Sequence, residues 1–154
     1  MPNEDKKDFN AMLHNSKDMP KVKDVLDKGK MYKLLIAAPL DYDALMKQVP
    51  EGKLLTTEQM RRKLAERYRA DKTCPLTAGI FVNIVAWASE QRTTDITPYW
   101  RTIKTDGELN VKYPGGVEAQ KAKLEAEGHT IVQRGRSKVK YYVQDFENAL
   151  VELK

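Results

Sequence analysis

The chain has a single cysteine in 154 residues, so no intramolecular disulfide is available to it. It has only two histidines. Together with Cys74 they supply too few soft ligands for a zinc site, and no cofactor or metal is expected. No apolar run approaches the ~20 residues that a membrane-spanning helix needs. The first ten residues, MPNEDKKDFN, mix acids with lysines and lack an apolar core, so they do not read as a secretory signal. A cytoplasmic protein without a membrane partner is the expectation. At this length one domain is the natural unit, large enough for a core of its own.

Positive charge is present, and its distribution says more than the net value of +5. Between Lys53 and Lys72 there are seven basic residues against three acids. Between Gly128 and Gln144 there are four basic residues and no acid. Two such excesses could form a phosphate-facing surface; the blander alternative is two solvated faces.

Residues 1–30 are polar and rich in Lys and Asp, which predicts an N-terminal extension or a short, poorly packed amphipathic helix. Residues 31–38 (MYKLLIAA) read as a buried strand or an extended lead-in, ended by Pro39. Asp41 or Asp43 can cap a helix that stops at Pro50 and Gly52. Thr57 is a candidate N-cap for a helix over 58–70, with Met60, Leu64 and Tyr68 four residues apart on one stripe. Pro75 suits the first turn of a helix over 76–91, which carries Ile80, Phe81, Ile84, Val85 and Ala88 at helical spacings. Two such helices form a helix-turn-helix unit, and the second would be the recognition helix. Residues 130–154 read as two short strands around Gly135, then a final helix over 146–153 capped by Asp145. The fold class expected is mainly α with small β: a winged-helix-like helix-turn-helix domain with a C-terminal β-hairpin.

The stretch 97–128, TPYWRTIKTDGELNVKYPGGVEAQKAKLEAEG, is the most specific. An aromatic step, Pro98-Tyr99-Trp100-Arg101, precedes a short strand, a turn at Asp106-Gly107, a Pro-Gly-Gly loop and a helix stopped by Gly128. It resembles the DNA-binding domain of the alkylguanine-DNA alkyltransferases, over roughly 43–129. The match is carried by Pro98, Arg101, Gly107, Leu109, Gly115, Gly116, Gln120, Leu124, Glu127 and Gly128. Tyr99 stands at the place of the family's alkyl-accepting Cys, and Trp100 at that of its His. In this the chain is more similar to the alkyltransferase-like proteins, which bind alkylated DNA without repairing it. The resemblance divides the chain into a polar extension (1–30), a DNA-binding domain (31–129) and a hairpin and helix packed on it (130–154).

The resemblance implies a non-enzymatic, monomeric protein that binds double-stranded, alkylated DNA, enters a groove and receives a flipped base. A DNA-repair protein would be its partner. The implied lesion pocket is Tyr99, Trp100, Arg101 and Glu127. The DNA-binding candidates are Thr57, Arg61, Arg62, Arg69, Thr73, Leu76, Thr77, Gly115, Gly116, Arg134 and Arg136. Thr57 stands where the family has a Tyr that rotates the nucleotide. No Arg lies in 73–77, where the family has an intercalating one, so Leu76 is the candidate apolar wedge. Two alternatives remain from the residues themselves. One is an active alkyltransferase that uses Cys74, whose place beside Pro75 polarises the thiol. The other is a winged-helix module that binds undamaged DNA or protein.

Overall fold

The computed structural model describes residues 7–154. Its helices are α1 (Phe9–Leu13), α2 (Pro39–Met46), α3 (Thr57–Arg67), α4 (Pro75–Glu90) and α5 (Gly116–Ala126). Its strands are β1 (Lys21–Asp27), β2 (Lys30–Ile36), β3 (Leu55–Thr56), β4 (Lys72–Thr73), β5 (Thr102–Ile103), β6 (Ile131–Arg134) and β7 (Lys140–Val143). They form three small sheets. β1 pairs antiparallel with β2, whose other edge takes β4 in parallel. β3 and β5 pair in parallel, and β6 and β7 form the expected hairpin. The architecture is mainly helical with small sheets, as the sequence predicts. No described helix is long and apolar enough to cross a membrane.

Within residues 7–30 the short helix α1 forms as expected, but it is firmly packed rather than loose. Phe9 and Leu13, one helical turn apart, are buried against α4, and Phe9 stacks on Trp87 with ring centroids 5.6 Å apart. The backbone N–H of Phe9 donates to Gln91 and the Asn10 amide to the Ala88 carbonyl, which holds α1 along α4. The Lys/Asp-rich stretch that follows is β1, an edge strand whose side chains are mostly exposed. Residues 1–6 of the expected extension lie outside the described residues.

Helix starts differ from expectation by one residue at α3 and α4 and by three or more at α2. Thr56, not Thr57, caps α3: its hydroxyl accepts from the Gln59 N–H at 3.2 Å, and the Gln59 side-chain Oε1 accepts from the Thr56 N–H at 2.8 Å. That reciprocal pair satisfies two N–H groups that the helix itself leaves free. Pro39 opens α2 rather than merely ending β2, and the Asp41 carboxylate accepts the Ala38 N–H at 2.9 Å. The connection from α3 to α4 is not a bare turn, because β4 lies within it and pairs with Leu34 and Leu35.

The expected C-terminal helix does not form. Asp145 adopts a left-handed conformation (φ 54°) and its side chain does not cap. A 3-10 turn over Phe146–Ala149 gives way to extended chain. Leu54 N–H donates to the Ala149 carbonyl and Val151 N–H to the Leu54 carbonyl, both at 2.8 Å. The helical spacing of Ala149, Leu150 and Leu153 loses to this bridge, which pairs backbone groups that a short terminal helix would leave open.

Two cores result. The larger gathers α1, α2, α3 and α4 with Tyr99 and Tyr113; the smaller holds Leu54, Ile103, Leu109, Leu124 and Val143. Trp100 packs against both, so the aromatic step joins the two halves.

Candidate nucleic-acid interface

The aromatic motif folds as a 3-10 turn, Tyr99–Arg101, running directly into β5. Tyr99 is only 2% exposed. Its ring meets Trp100 and Tyr113 edge-on, at 5.4 and 5.3 Å between centroids, and its hydroxyl donates to Glu90 at 3.0 Å. Burial, then the neighbouring Glu90 charge, pushes the phenol far above its ordinary range.

Arg101 and Glu127 form a bidentate pair. Arg101 Nε lies 3.0 Å and Nη2 2.7 Å from the carboxylate, and the side chains are 13% and 8% exposed. Trp100 Nε1 donates to the same carboxylate at 3.1 Å, and Arg101 Nη1 donates to the Val49 carbonyl at 2.8 Å. Burial alone would raise the Glu127 carboxyl; the hydrogen bonds from Arg101 and Trp100 outweigh it and hold the group below its ordinary value. This cluster ties the end of α2, the 3-10 turn and the end of α5 together. Both carboxylate oxygens are occupied by protein donors, so it acts as a clamp.

The open surfaces lie elsewhere. A trough of about 640 Å³ runs between the first half of α4 and the loop from Lys104 to Lys112. Thr57, Arg61, Leu76, Ile80, Lys104 and Lys112 are among its lining residues. Leu76 is 72% exposed and Ile80 49%, an uncovered apolar ridge on a helix whose opposite face is core. The far wall is fixed by the hairpin: Leu109 N–H donates to the Tyr141 carbonyl at 2.9 Å, and Val143 N–H to the Gly107 carbonyl at 3.0 Å.

A second cavity, of about 690 Å³, opens beside the trough and shares Asn83, Val111 and Lys112 with it. Phe9, Trp87 and Tyr113 give it aromatic walls, and Gly115 and Gly116 line it without side chains. Trp87 is oriented by its Nε1 donating to the Lys112 carbonyl at 2.9 Å. Asn110 Nδ2 donates to Asn83 Oδ1 at 3.0 Å at the partition. Both glycines have positive φ, 77° and 69°, so a side chain at either would strain the loop, and a Cβ on Gly115 would also meet the Ala119 side chain at 2.6 Å.

The predicted DNA-binding residues therefore separate. Thr57, Arg61 and Leu76 come together at the trough, and Gly115 and Gly116 at the neighbouring cavity. Thr73 is buried, and its hydroxyl donates to the Arg61 carbonyl at 2.7 Å, so it is a structural residue. Thr77 bonds back to the Cys74 carbonyl at 3.4 Å. Arg62 pairs with Glu58 at 2.7 Å, and Arg69 lies beyond the end of α3; neither lines the trough. Arg134 packs over Tyr142 at 5.0 Å, and Arg136 is exposed in the hairpin turn. Tyr99, Trp100, Arg101 and Glu127 line neither the trough nor the cavity.

Sequence reasoning missed Lys104, Lys112, Asn83, Trp87 and Phe9, and named Ile80 only among the apolar residues of the helix. The available signal was a second stripe on α4: Leu76, Ile80, Asn83 and Trp87 recur at spacings of four, three and four. A helix apolar on two faces has one face left for something else.

Cys74 is the only thiol, half-buried at the start of α4. Burial pushes it up, but hydrogen bonds from Thr77 and Leu76 prevail and it lies below the ordinary thiol value. Among the described residues no group of His, Cys, Asp and Glu is placed to hold a metal.

No family model matches this chain, and no curated protein matches it. It is similar to two solved structures from S. pombe. One is Atl1 in complex with damaged DNA containing O6-carboxymethylguanine, at a TM-score of 0.49 and 23% identity over 73% of this chain and 91% of that one. The other is ATL in complex with DNA, at 0.48 and 20% identity over 73% and 92%.

Proposed function

We propose that this protein is a non-enzymatic DNA-binding protein of the alkyltransferase-like kind, which lays α4 into a groove of the duplex and receives a displaced, alkylated base. The observation that carries this reading is the exposed Leu76/Ile80 ridge over a trough rimmed by Arg61, Lys104 and Lys112. Apolar residues at such a position suit insertion between base steps, with the cations on flanking phosphates. The hairpin serves as the wing, with Arg134 and Arg136 on the backbone. A base leaving the stack enters the adjoining cavity, where the half-buried Trp87 indole is the aromatic surface to stack on; a damaged base leaves more cheaply than an intact one. The expected pocket at Tyr99, Trp100, Arg101 and Glu127 thus moves to the cavity, for which Tyr99 is the backing behind Tyr113. The raised, hydrogen-bonded phenol of Tyr99 is no nucleophile at neutral pH, which supports binding without repair.

The test is anisotropy titration of labelled duplexes with and without an O6-alkylguanine. The parent is expected to prefer the alkylated duplex. Contacts to about four phosphates would give a log–log salt slope of roughly −3 to −4. Leu76→Glu keeps the fold, since the position is exposed, and sets a like charge against phosphate at a cost of several kcal/mol. It is expected to weaken both duplexes by at least ~10-fold. Unchanged binding would remove α4 from the interface.

A second reading has the lowered Cys74 thiol as an alkyl acceptor. Intact-mass measurement after incubation with alkylguanine DNA is expected to show the unmodified chain. A stoichiometric gain mapping to Cys74 would make the protein an enzyme.

A further inference from the structure

The trough does not end at Arg61. A second groove, of about 670 Å³, continues from it between α3 and the sheet of β1, β2 and β4, sharing Arg61 and Pro75. Tyr32, Leu34 and Lys72 line its sheet side, and Arg61, Arg62 and Glu66 are among the residues of its helix side. Strand register tells which other residues share that sheet face. Lys23 stands opposite Leu34, and Leu34 opposite Lys72. Lys21 faces Ile36, Val25 faces Tyr32, and Asp27 faces Lys30. Residues opposite one another point to the same side of a sheet, and alternate residues along a strand do too. One open face therefore carries Lys21, Lys23, Lys30 and Lys72 against a single acid, Asp27. All four lysines are exposed, around half-buried Val25, Tyr32 and Leu34. Lys72 Nζ lies 4.9 Å from the Tyr32 ring centroid. The groove itself is balanced, with Arg61, Arg62 and Lys72 against Glu58, Glu66 and Asp71, so the excess of positive charge lies on the sheet face beside it. The opposite face is different in kind: there Lys33 pairs with Asp24 at 3.7 Å, and Val22 leads to buried Leu35.

We infer that this lysine face forms a second nucleic-acid surface, which carries the phosphate backbone of the same duplex outward from the trough along the β1–β2 hairpin. The inference rests on the DNA-binding reading of α4. The occupant follows from the chemistry: four cations and one acid on a strip that begins at the rim of the trough suit a polyanion. From Leu34 to Lys30 the strand covers about 13 Å, or about four nucleotide steps of one strand. The hairpin thus acts as an arm that lengthens the footprint and adds no base reading.

The test compares the parent with the Lys21→Gln/Lys23→Gln/Lys30→Gln/Lys72→Gln variant on a long duplex of about 20 base pairs and a short one of about 8, spanning the trough alone. Each phosphate contact adds about 0.9 to the log–log salt slope, so the slope on the long duplex is expected to fall by roughly 2 to 4, with affinity at low salt down by at least ~10-fold. Binding to the short duplex should hold, and Lys33→Gln, on the opposite face, should change neither. Lysine acetylation read by mass spectrometry gives an independent measure: long DNA should protect Lys21, Lys23, Lys30 and Lys72. A parent that binds DNA while the variant keeps both slope and affinity, with those lysines unprotected, overturns the arm and leaves the α4 reading standing. A parent that binds neither duplex overturns both.

Discussion

Glu127→Ala is expected to lower the melting temperature by roughly 6–12 °C. The carboxylate accepts from Arg101 and from Trp100, in a site where both ion-pair side chains are nearly covered. Removing one partner of a buried pair leaves the other charged and unpaired, at about 3–5 kcal/mol. Residual solvent contact argues for the lower end, about 3 kcal/mol, and each kcal/mol is about 2–4 °C for a chain of this size. Replacing both partners by apolar residues, Arg101→Met with Glu127→Leu, should recover much of the loss, since no charge is then stranded. The pH dependence has a definite sign. The folded carboxyl lies below its unfolded value, so its contribution is complete above the unfolded value near ~4.3 and is lost as pH falls through the folded one. Melting of the parent should therefore fall more steeply on acidification below about pH 5 than melting of Glu127→Ala. A single variant that melts within a degree or two of the parent would show that the cluster does not join the two cores.

Some of this fold is readable from local chemistry. Pro75 opens α4, Gly128 follows α5 with φ 96°, and Gly135 turns the hairpin with φ 108°, each where the residue type suits the backbone. The α3 cap was readable as well, because Thr56 and Gln59 have capping-box spacing, whereas Thr57 lacks that partner. What escapes is fixed by distant partners. β3, β4 and β5 are two residues each, and exist only because Leu55 meets Thr102 and Lys72 meets Leu34. Phe9 and Leu13 stand in a short polar stretch, and only distant helices, α4 above all and then α2, give them something to bury against. The terminal helix fails for the same reason in reverse, since Leu54 claims the backbone around Leu150.

The site divides along similar lines. The motif 98–101 marks where the chain is most specified, and it does hold the two cores together. It does not mark the open surface, because aromatics and an Arg–Glu pair read the same in a sequence whether they line a pocket or fill it. Periodicity gives α4 its two apolar stripes; only packing decides that Val82, Val85 and Ala88 face inward while Leu76 and Ile80 face out. Lys104 and Lys112 are near neighbours in an irregular loop, and the hairpin's bonds to Gly107 and Leu109 set them across the trough from α4.

Tyr99 separates a packing role from a binding role. Tyr99→Ala is expected to cost about 3–5 kcal/mol, the usual loss for truncating a buried aromatic, and to weaken all DNA binding only through unfolding. Tyr99→Phe keeps the edge-on contacts with Trp100 and Tyr113 and removes only the bond to Glu90. Glu90 is exposed, so that loss is small, about 1 kcal/mol. The folded Tyr99→Phe protein should still distinguish an alkylated duplex from a plain one as the parent does. Trp87→Ala should not. Its indole is part of the cavity wall, and losing one base–aromatic stack is worth about 1–3 kcal/mol on the alkylated duplex, with little change on the plain one. Melting each variant first keeps stability apart from binding, because Trp87 also supports Phe9. If Tyr99→Phe melts like the parent yet loses its preference for alkylated DNA, the phenol hydroxyl reads the base and the pocket belongs at Tyr99 after all. If a folded Trp87→Ala keeps the parent's preference, the cavity between α4 and the glycine loop holds no base. With the cavity empty and Tyr99 enclosed, recognition would fall to the Leu76/Ile80 ridge alone, and a protein reading DNA through that ridge would respond to how easily the duplex opens rather than to the alkyl group.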